Sequence, residues 1–157
     1  MLSNDLKKNS NYSQNGFTII ELVVAVVMVG IITALIIIVV VNAKSKSRDI
    51  QRISDIAIIR SALDLYLADK KSFPVAENLV LGVISSGVLC DSAPGFQAND
   101  SGCTKVYLAS VPANQWPGGT NYLYTSNGEA YEIKFSLEGR TGLFVSGEHT
   151  ADPYTIQ

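Results

Sequence analysis

From Leu22 to Val41 the chain runs through 20 residues without a single charge, and only Gly30 and Thr33 interrupt the aliphatic side chains. At 1.5 Å per residue a helix over this run reaches about 30 Å, the hydrocarbon thickness of a bilayer. The polar character then changes. In KSKSRDIQRISDIAIIRSALDLYLADKK, positions Ile56, Ile59, Leu63, Tyr66 and Leu67 follow the i, i+3, i+4 spacing of one helix face. Ile53, Ala57, Ile58, Ala62 and Leu65 widen that stripe. Two readings of the width stand side by side: a helix with two separate packing partners, or one buried deeply in its own domain. No Pro or Gly lies between Ile31 and Phe73, so nothing breaks the helix. One helix over Phe17–Lys70 is about 80 Å long, far beyond the usual globular length.

Phe73-Pro74 ends this helix, because the residue before a proline is pushed out of the helical region. Residues 74–120 are rich in Gly, Pro, Ser and Asn, with short apolar runs such as Leu79–Ile84, and read as a loop region. A meander follows. In EAYEIKFSLE, Tyr131, Ile133, Phe135 and Leu137 alternate with Glu132, Lys134, Ser136 and Glu138, which predicts a strand with one dry and one wet face. Asn127-Gly128 is a two-residue hairpin signal. As a pivot it sets Tyr124 opposite Tyr131 and Tyr122 opposite Ile133. A third strand is expected near Gly142–Ser146. Such a sheet needs a cover for its dry face, and the amphipathic half of the long helix supplies one. The expected class is α+β: a long N-terminal helix on a small antiparallel sheet. Its parts are a leader over 1–16, an apolar helix over 17–41, an amphipathic half over 42–72, and a loop region with sheet over 73–157.

At 157 residues the chain accommodates one domain plus an anchor, and its net charge of −2 gives no electrostatic case for nucleic acid. Lys105, Lys134 and Arg140 are too scattered in the sequence to form a basic patch. Two cysteines, Cys90 and Cys103, and one histidine, His149, are too few for a four-ligand zinc site; a disulfide is the better reading, with two unpaired thiols as the alternative. A disulfide implies an oxidising compartment. Nothing points to an enzyme or a cofactor. His149 lies in a polar tail and reads as solvated, no serine sits in a G-x-S-x-G elbow, and neither G-x-G-x-x-G nor a P-loop occurs. Trp116, in NQWPGG, reads as a loop anchor.

One residue resists this bland picture. Glu21 stands just ahead of the apolar run, where a carboxylate is costly. A secretory signal does not account for the segment, although Val41-Asn42-Ala43 has small-residue character, because the run is longer than a signal core. A plain anchor with Glu21 snorkelling to the interface, or an intramembrane functional carboxylate with a partner, both remain open.

Gly16-Phe17-Thr18-Ile19-Ile20-Glu21, preceded by a short polar leader with Lys7 and Lys8 and followed by the apolar run, resembles the prepilin motif of type IV pilins and type II secretion pseudopilins. Gly30 falls where members of that family often carry a helix glycine, and LDLYLADKKSFP resembles the helix exit of the major pseudopilin. The resemblance implies the pilin fold and no catalytic activity. It implies cleavage by a prepilin peptidase between Gly16 and Phe17, N-methylation of Phe17, and pairing of Glu21 with a neighbour's Phe17 amine as helices stack. The implied partners are further copies of the chain, the peptidase and methyltransferase, an inner-membrane assembly platform and the bilayer. The implied location is a single-pass inner-membrane protein with its N-terminus in the cytoplasm, then an extracytoplasmic filament, either a surface pilus or a periplasmic pseudopilus. A membrane-anchored binding module, or a minor pilin outside the main filament, is the alternative.

Two features depart from the family pattern. Leu35–Ile38 holds no proline where many members have one. Lys44, Lys46, Arg48 and Arg52 after the span outnumber Lys7 and Lys8 before it, so charge alone favours the reverse orientation. Some pseudopilins bind calcium in an acidic C-terminal loop; here SGEHTADPYTIQ offers only Glu148 and Asp152, too few carboxylates for an expected site.

Overall fold

The computed structural model describes residues 16–157, so leader residues 1–15, including Lys7 and Lys8, lie outside the described residues. The chain divides into two units, Met1–Val40 and Val41–Gln157. Helix α1 (Ile19–Lys70) contributes to both.

In the first unit Thr18 starts the helix. The Glu21 backbone N–H donates to Thr18 Oγ1 at 3.3 Å, the N-cap bond that satisfies one of the free amides of a helix start. The helix passes Gly30 unbroken and continues through Leu35–Ile38. Its large apolar side chains from Ile19 to Val41 are all exposed, which in water is untenable for so many residues. Among the described residues this is the one helix long and apolar enough to cross a membrane.

The second unit is built from β1 (Ala76–Val80), β2 (Val88–Cys90), β3 (Phe96–Gln97), β4 (Val106–Leu108), β5 (Leu123–Ser126), β6 (Tyr131–Leu137) and β7 (Gly147–Ala151), with a 3₁₀ turn at Ile84–Ser86. All pairings are antiparallel, in a four-stranded sheet β1-β5-β6-β7 and a three-stranded sheet β3-β2-β4. The amphipathic half of α1 covers the first sheet. Ile56, Ile59, Leu63 and Tyr66 are buried against Tyr122, Tyr124, Tyr131, Ile133, Phe135 and Leu137. Burying each such side chain is worth about 1.5–3 kcal/mol. Edge-to-face pairs of Phe73 with Tyr131 and Phe96 with Tyr124 link the helix exit and the small sheet to the same core. Ala57, Ile58 and Leu65 are exposed, so the wide stripe is not explained by deep burial.

The helix stops before Phe73-Pro74. Lys71 adopts φ 62° and donates its N–H to Leu67 O, a left-handed C-terminal cap on a non-glycine residue.

Three expectations for the meander need correction. The hairpin loop is Asn127–Ala130, not Asn127-Gly128 alone. Asn127 Oδ1 accepts from the N–H of Glu129 and of Ala130, and Ser126 Oγ takes the Gly128 N–H while donating to Ala130 O. Side-chain bonds thus stabilise a wider turn than the sequence signal implies. The register moves by two: Tyr124 faces Ile133 and Ser126 faces Tyr131. A shift of two preserves the faces, so Tyr122, Tyr124 and all four apolar β6 residues are still buried. The third strand is Gly147–Ala151 rather than Gly142–Ser146, where a tight turn closes Thr141 on Phe144. Residues 74–120 also hold four strands. Gly82 shows why this stretch folds so closely: its φ is +72° and a Cβ would lie 2.5 Å from Pro112 O.

Both outer edges of the larger sheet are modified. On β1 the pairing slips between Ala76 and Leu79, and Asn78 has φ 49°. On β7, Thr150 and Gln157 exchange backbone hydrogen bonds as residues 152–157 fold back along the strand.

Cys90 and Cys103 are joined in a disulfide with a sequence separation of 13. In the chain-entropy account, closing a loop of that size contributes about 3 kcal/mol.

Candidate functional site

The segment Gly16–Glu21 is the helix entrance. Gly16 precedes α1 outside any helix or strand, and among the described residues a Cβ built on it would meet nothing within 4 Å. Phe17 is 84% exposed. Glu21 occupies the first turn of α1, three residues after its Thr18 cap. This Thr-x-x-Glu spacing is that of a capping box, and a carboxylate at this end is also favoured by the helix dipole. Thr18 belongs to the motif read from the sequence, but its role as helix cap, legible by that spacing, was not part of that reading. Glu21 therefore has a local reason to be where it is. That reason needs no membrane, and it leaves the carboxylate exposed and available to a second group.

The second unit holds a buried polar cluster that sequence reasoning missed. Asp49 and Arg52 are fully buried. Arg52 Nη1 donates to Asp49 Oδ1 and to Glu138 Oε1, each at 2.7 Å. Its Nε donates to Asn114 Oδ1 at 2.7 Å, and its Nη2 to the carbonyls of Gln115, Pro117 and Gly118 at 3.0, 3.2 and 2.7 Å. Asp49 also accepts the N–H of Glu138 and of Gly139, each at 2.9 Å. Arg48 pairs with Glu138 from the other side. Gly118 makes room for this: its φ is +85° and a Cβ would lie 2.6 Å from Glu138 Cδ. One turn on, Tyr122 donates to Asp55 Oδ2 at 3.0 Å; burial, then the Asp55 charge, raises the phenol above its ordinary range. The only sequence trace of the cluster is Asp49 and Arg52 at i, i+3. Its other members are far away in the chain.

Hydrogen bonds from Arg48, then from Arg52, hold Glu138 down at about 2, against the opposing effect of burial. A depressed carboxylate stabilises the fold fully above its unfolded value near 4.5 and loses that contribution as pH falls through the folded value. Glu138→Gln is therefore expected to melt below wild type at pH 6. The gap should close as pH drops from about 4.5 to about 2, where Glu138 itself is protonated. Thermal unfolding by circular dichroism checks this, and a gap independent of pH would count against it.

The remaining candidates are dispersed. Glu148 is exposed on β7, and Asp152 Oδ1 accepts the N–H of Tyr154 and Thr155 as a turn cap. Among the described residues no three His, Cys, Asp or Glu side chains gather as metal ligands. His149 is not solvated. It is 7% exposed, stands against Phe135 and Phe144, and its Nδ1 and Nε2 lie 2.9 and 2.8 Å from the carbonyl oxygens of Gln157 and Val145. The tail is polar in sequence, but β7 turns its alternate residues His149 and Ala151 inward. Ser136 and Glu138 likewise leave the wet face: Ser136 is buried under Thr120, and Glu138 turns to the arginines. Trp116 is 89% exposed.

Comparison with known proteins agrees with this layout. Residues 11–37 match the family described as "Prokaryotic N-terminal methylation motif". The chain is similar to proteins named type II secretion system core protein G. With that of Pseudomonas aeruginosa it shares 29% identity over 88% of this chain and 92% of the relative. With that of Escherichia coli strain K12 it shares 28% over 76% and 79%. With that of Pectobacterium carotovorum it shares 25% over 85% and 81%. No solved structure matches significantly. The chain thus carries the prokaryotic N-terminal methylation motif ahead of an apolar span, and most of its length is similar to type II secretion system core protein G, which supports a subunit of a pilin-like filament.

Proposed function

We propose that the chain is the repeating subunit of a type II secretion pseudopilus, cut between Gly16 and Phe17, N-methylated on Phe17 and assembled through α1. The observation that carries this is the helix entrance: an open glycine, an exposed phenylalanine and a first-turn glutamate on a helix whose large apolar side chains from Ile19 to Val41 are exposed. The relatives' shared name, core protein G, favours a pseudopilus over a surface pilus. In this reading a prepilin peptidase reaches Gly16 from the cytoplasmic side. The subunit then waits as a single-pass protein with its second unit outside, where the Cys90–Cys103 disulfide is stable. An assembly platform moves it into the filament. The role is structural rather than catalytic. The apolar run supplies packing between copies, and Glu21 supplies register, because each charge in a dry core requires its opposite.

Mass spectrometry of envelope protein tests the processing. The mature chain should begin at methylated Phe17. Gly16→Val should leave the leader attached, because in this reading the peptidase requires a residue without a side chain at the scissile position. Normal-sized mature protein from Gly16→Val would refute the assigned cut.

A further inference from the structure

We propose that the end of the second unit carrying Lys44, Lys46, Arg140 and Trp116 is a lipid-contacting surface, which holds the waiting subunit on anionic phospholipid headgroups. This rests on the membrane-anchored reading above.

Trp116 is the chain's only tryptophan and is 89% exposed. An indole so exposed would ordinarily sit on a pliable loop. Here the loop is fixed from beneath. Buried Arg52 takes the carbonyls of Gln115, Pro117 and Gly118 and the side chain of Asn114, so the backbone polar groups on both sides of Trp116 are directed inward. The ring is presented at little ordering cost, which is what a contact residue requires. Indole, apolar with one N–H donor, favours the boundary between water and lipid.

The charges nearby give the partner's sign. Lys44, Lys46 and Arg140 are exposed and have no carboxylate within ion-pair reach among the described residues. Gly139, held on Asp49, brings Arg140 to this end. The local carboxylates, Asp49 and Glu138, are already bound by Arg48 and Arg52. Five cations thus meet two anions at one end of a chain whose net charge is −2. A surface of anionic headgroups fits that local excess.

Position completes the argument. Lys44 and Lys46 stand three and five residues beyond Val41, the last residue of the apolar run, which is about 5 and 8 Å along the helix. The headgroup layer adds about 5–7 Å per leaflet, and a lysine stem can reach back along the helix, so both ammonium groups belong in it. The Trp116 loop is held on Arg52 in the same unit, within two helical turns of Lys46.

The test uses the full chain in vesicles of phosphatidylcholine alone or mixed with phosphatidylglycerol, with Trp116 as the intrinsic probe. With phosphatidylglycerol, lipids brominated near the glycerol should quench more than half of the emission, while aqueous iodide quenches little. Replacing Lys44, Lys46 and Arg140 together by Gln should reverse that order with the disulfide intact. Full iodide quenching with no effect of brominated lipid, in both compositions, would overturn the proposal. So would iodide protection that follows protein density without lipid quenching, since that assigns the surface to a second copy. Flotation of the same vesicles reads the anchor separately: a chain that does not float overturns the anchored reading, and this proposal with it.

Discussion

Cells carrying Glu21→Ala are expected to accumulate mature chain in the membrane and to form no filaments. Losing a carboxylate beside an apolar run makes insertion easier, by up to about 2.5–3.5 kcal/mol. Each neighbouring Phe17 amine would instead be buried unpaired, at a cost of about 3–5 kcal/mol per subunit, roughly a 10²–10⁴-fold loss at each addition. Glu21→Gln should fall between, keeping shape and hydrogen bonding without charge. The helix start offers a rival explanation, since a carboxylate in the first turn of α1 is favoured by the helix dipole. Thr18→Ala separates the two: it removes the cap, for about 1 kcal/mol, and leaves the charge. Filaments from Thr18→Ala but none from Glu21→Ala would assign the effect to the pairing. Wild-type filament yield from Glu21→Ala, seen by electron microscopy of sheared material, would end the idea of a register charge.

The largest effect on the folded unit is expected at Arg52. Arg52→Met leaves Asp49 buried without its cation, strips Glu138 of one partner and frees three loop carbonyls. Breaking a buried pair from one side costs about 3–5 kcal/mol, against a total stability of about 5–15 kcal/mol. Arg52→Lys should recover part of that, because an ammonium keeps the charge but cannot reach this many acceptors at once. Urea unfolding in detergent micelles, followed by Trp116 emission and by far-UV circular dichroism, measures both. A loss below about 1 kcal/mol for Arg52→Met would mean that the cluster is dispensable.

How much of this could be read beforehand depended on distance along the chain. The helix was legible because its signals are local: an uncharged run, a 3.6-residue stripe and no breaker. The motif at Gly16–Glu21 is six contiguous residues. Strand β6 was legible because seven residues alternate without a gap. Strands β2, β3 and β4 are three, two and three residues long, too short for a period to show, and they exist by pairing with one another. The hairpin register failed because Asn127 and Ser126 side chains stabilise a wider turn than Asn-Gly normally makes. His149 was misjudged because burial on β7 comes from Phe135 and Phe144, not from its polar sequence neighbours. The Arg52 cluster joins residues 49, 52, 114–118 and 138, which no local pattern connects.

The two modified edges of the larger sheet have a consequence for a protein that must be packed with many copies of itself. A strand edge with free N–H and C=O groups is a template for adding strands from other chains. At the concentrations inside a filament such a template would open a second route of growth, toward cross-β aggregate, in competition with ordered helix stacking. On one edge the slipped pairing and the left-handed Asn78 spoil the straight ladder another strand would need. On the other, residues 152–157 already occupy part of the ladder. The fold thereby leaves association to α1, and crowding favours the ordered polymer over the amyloid one.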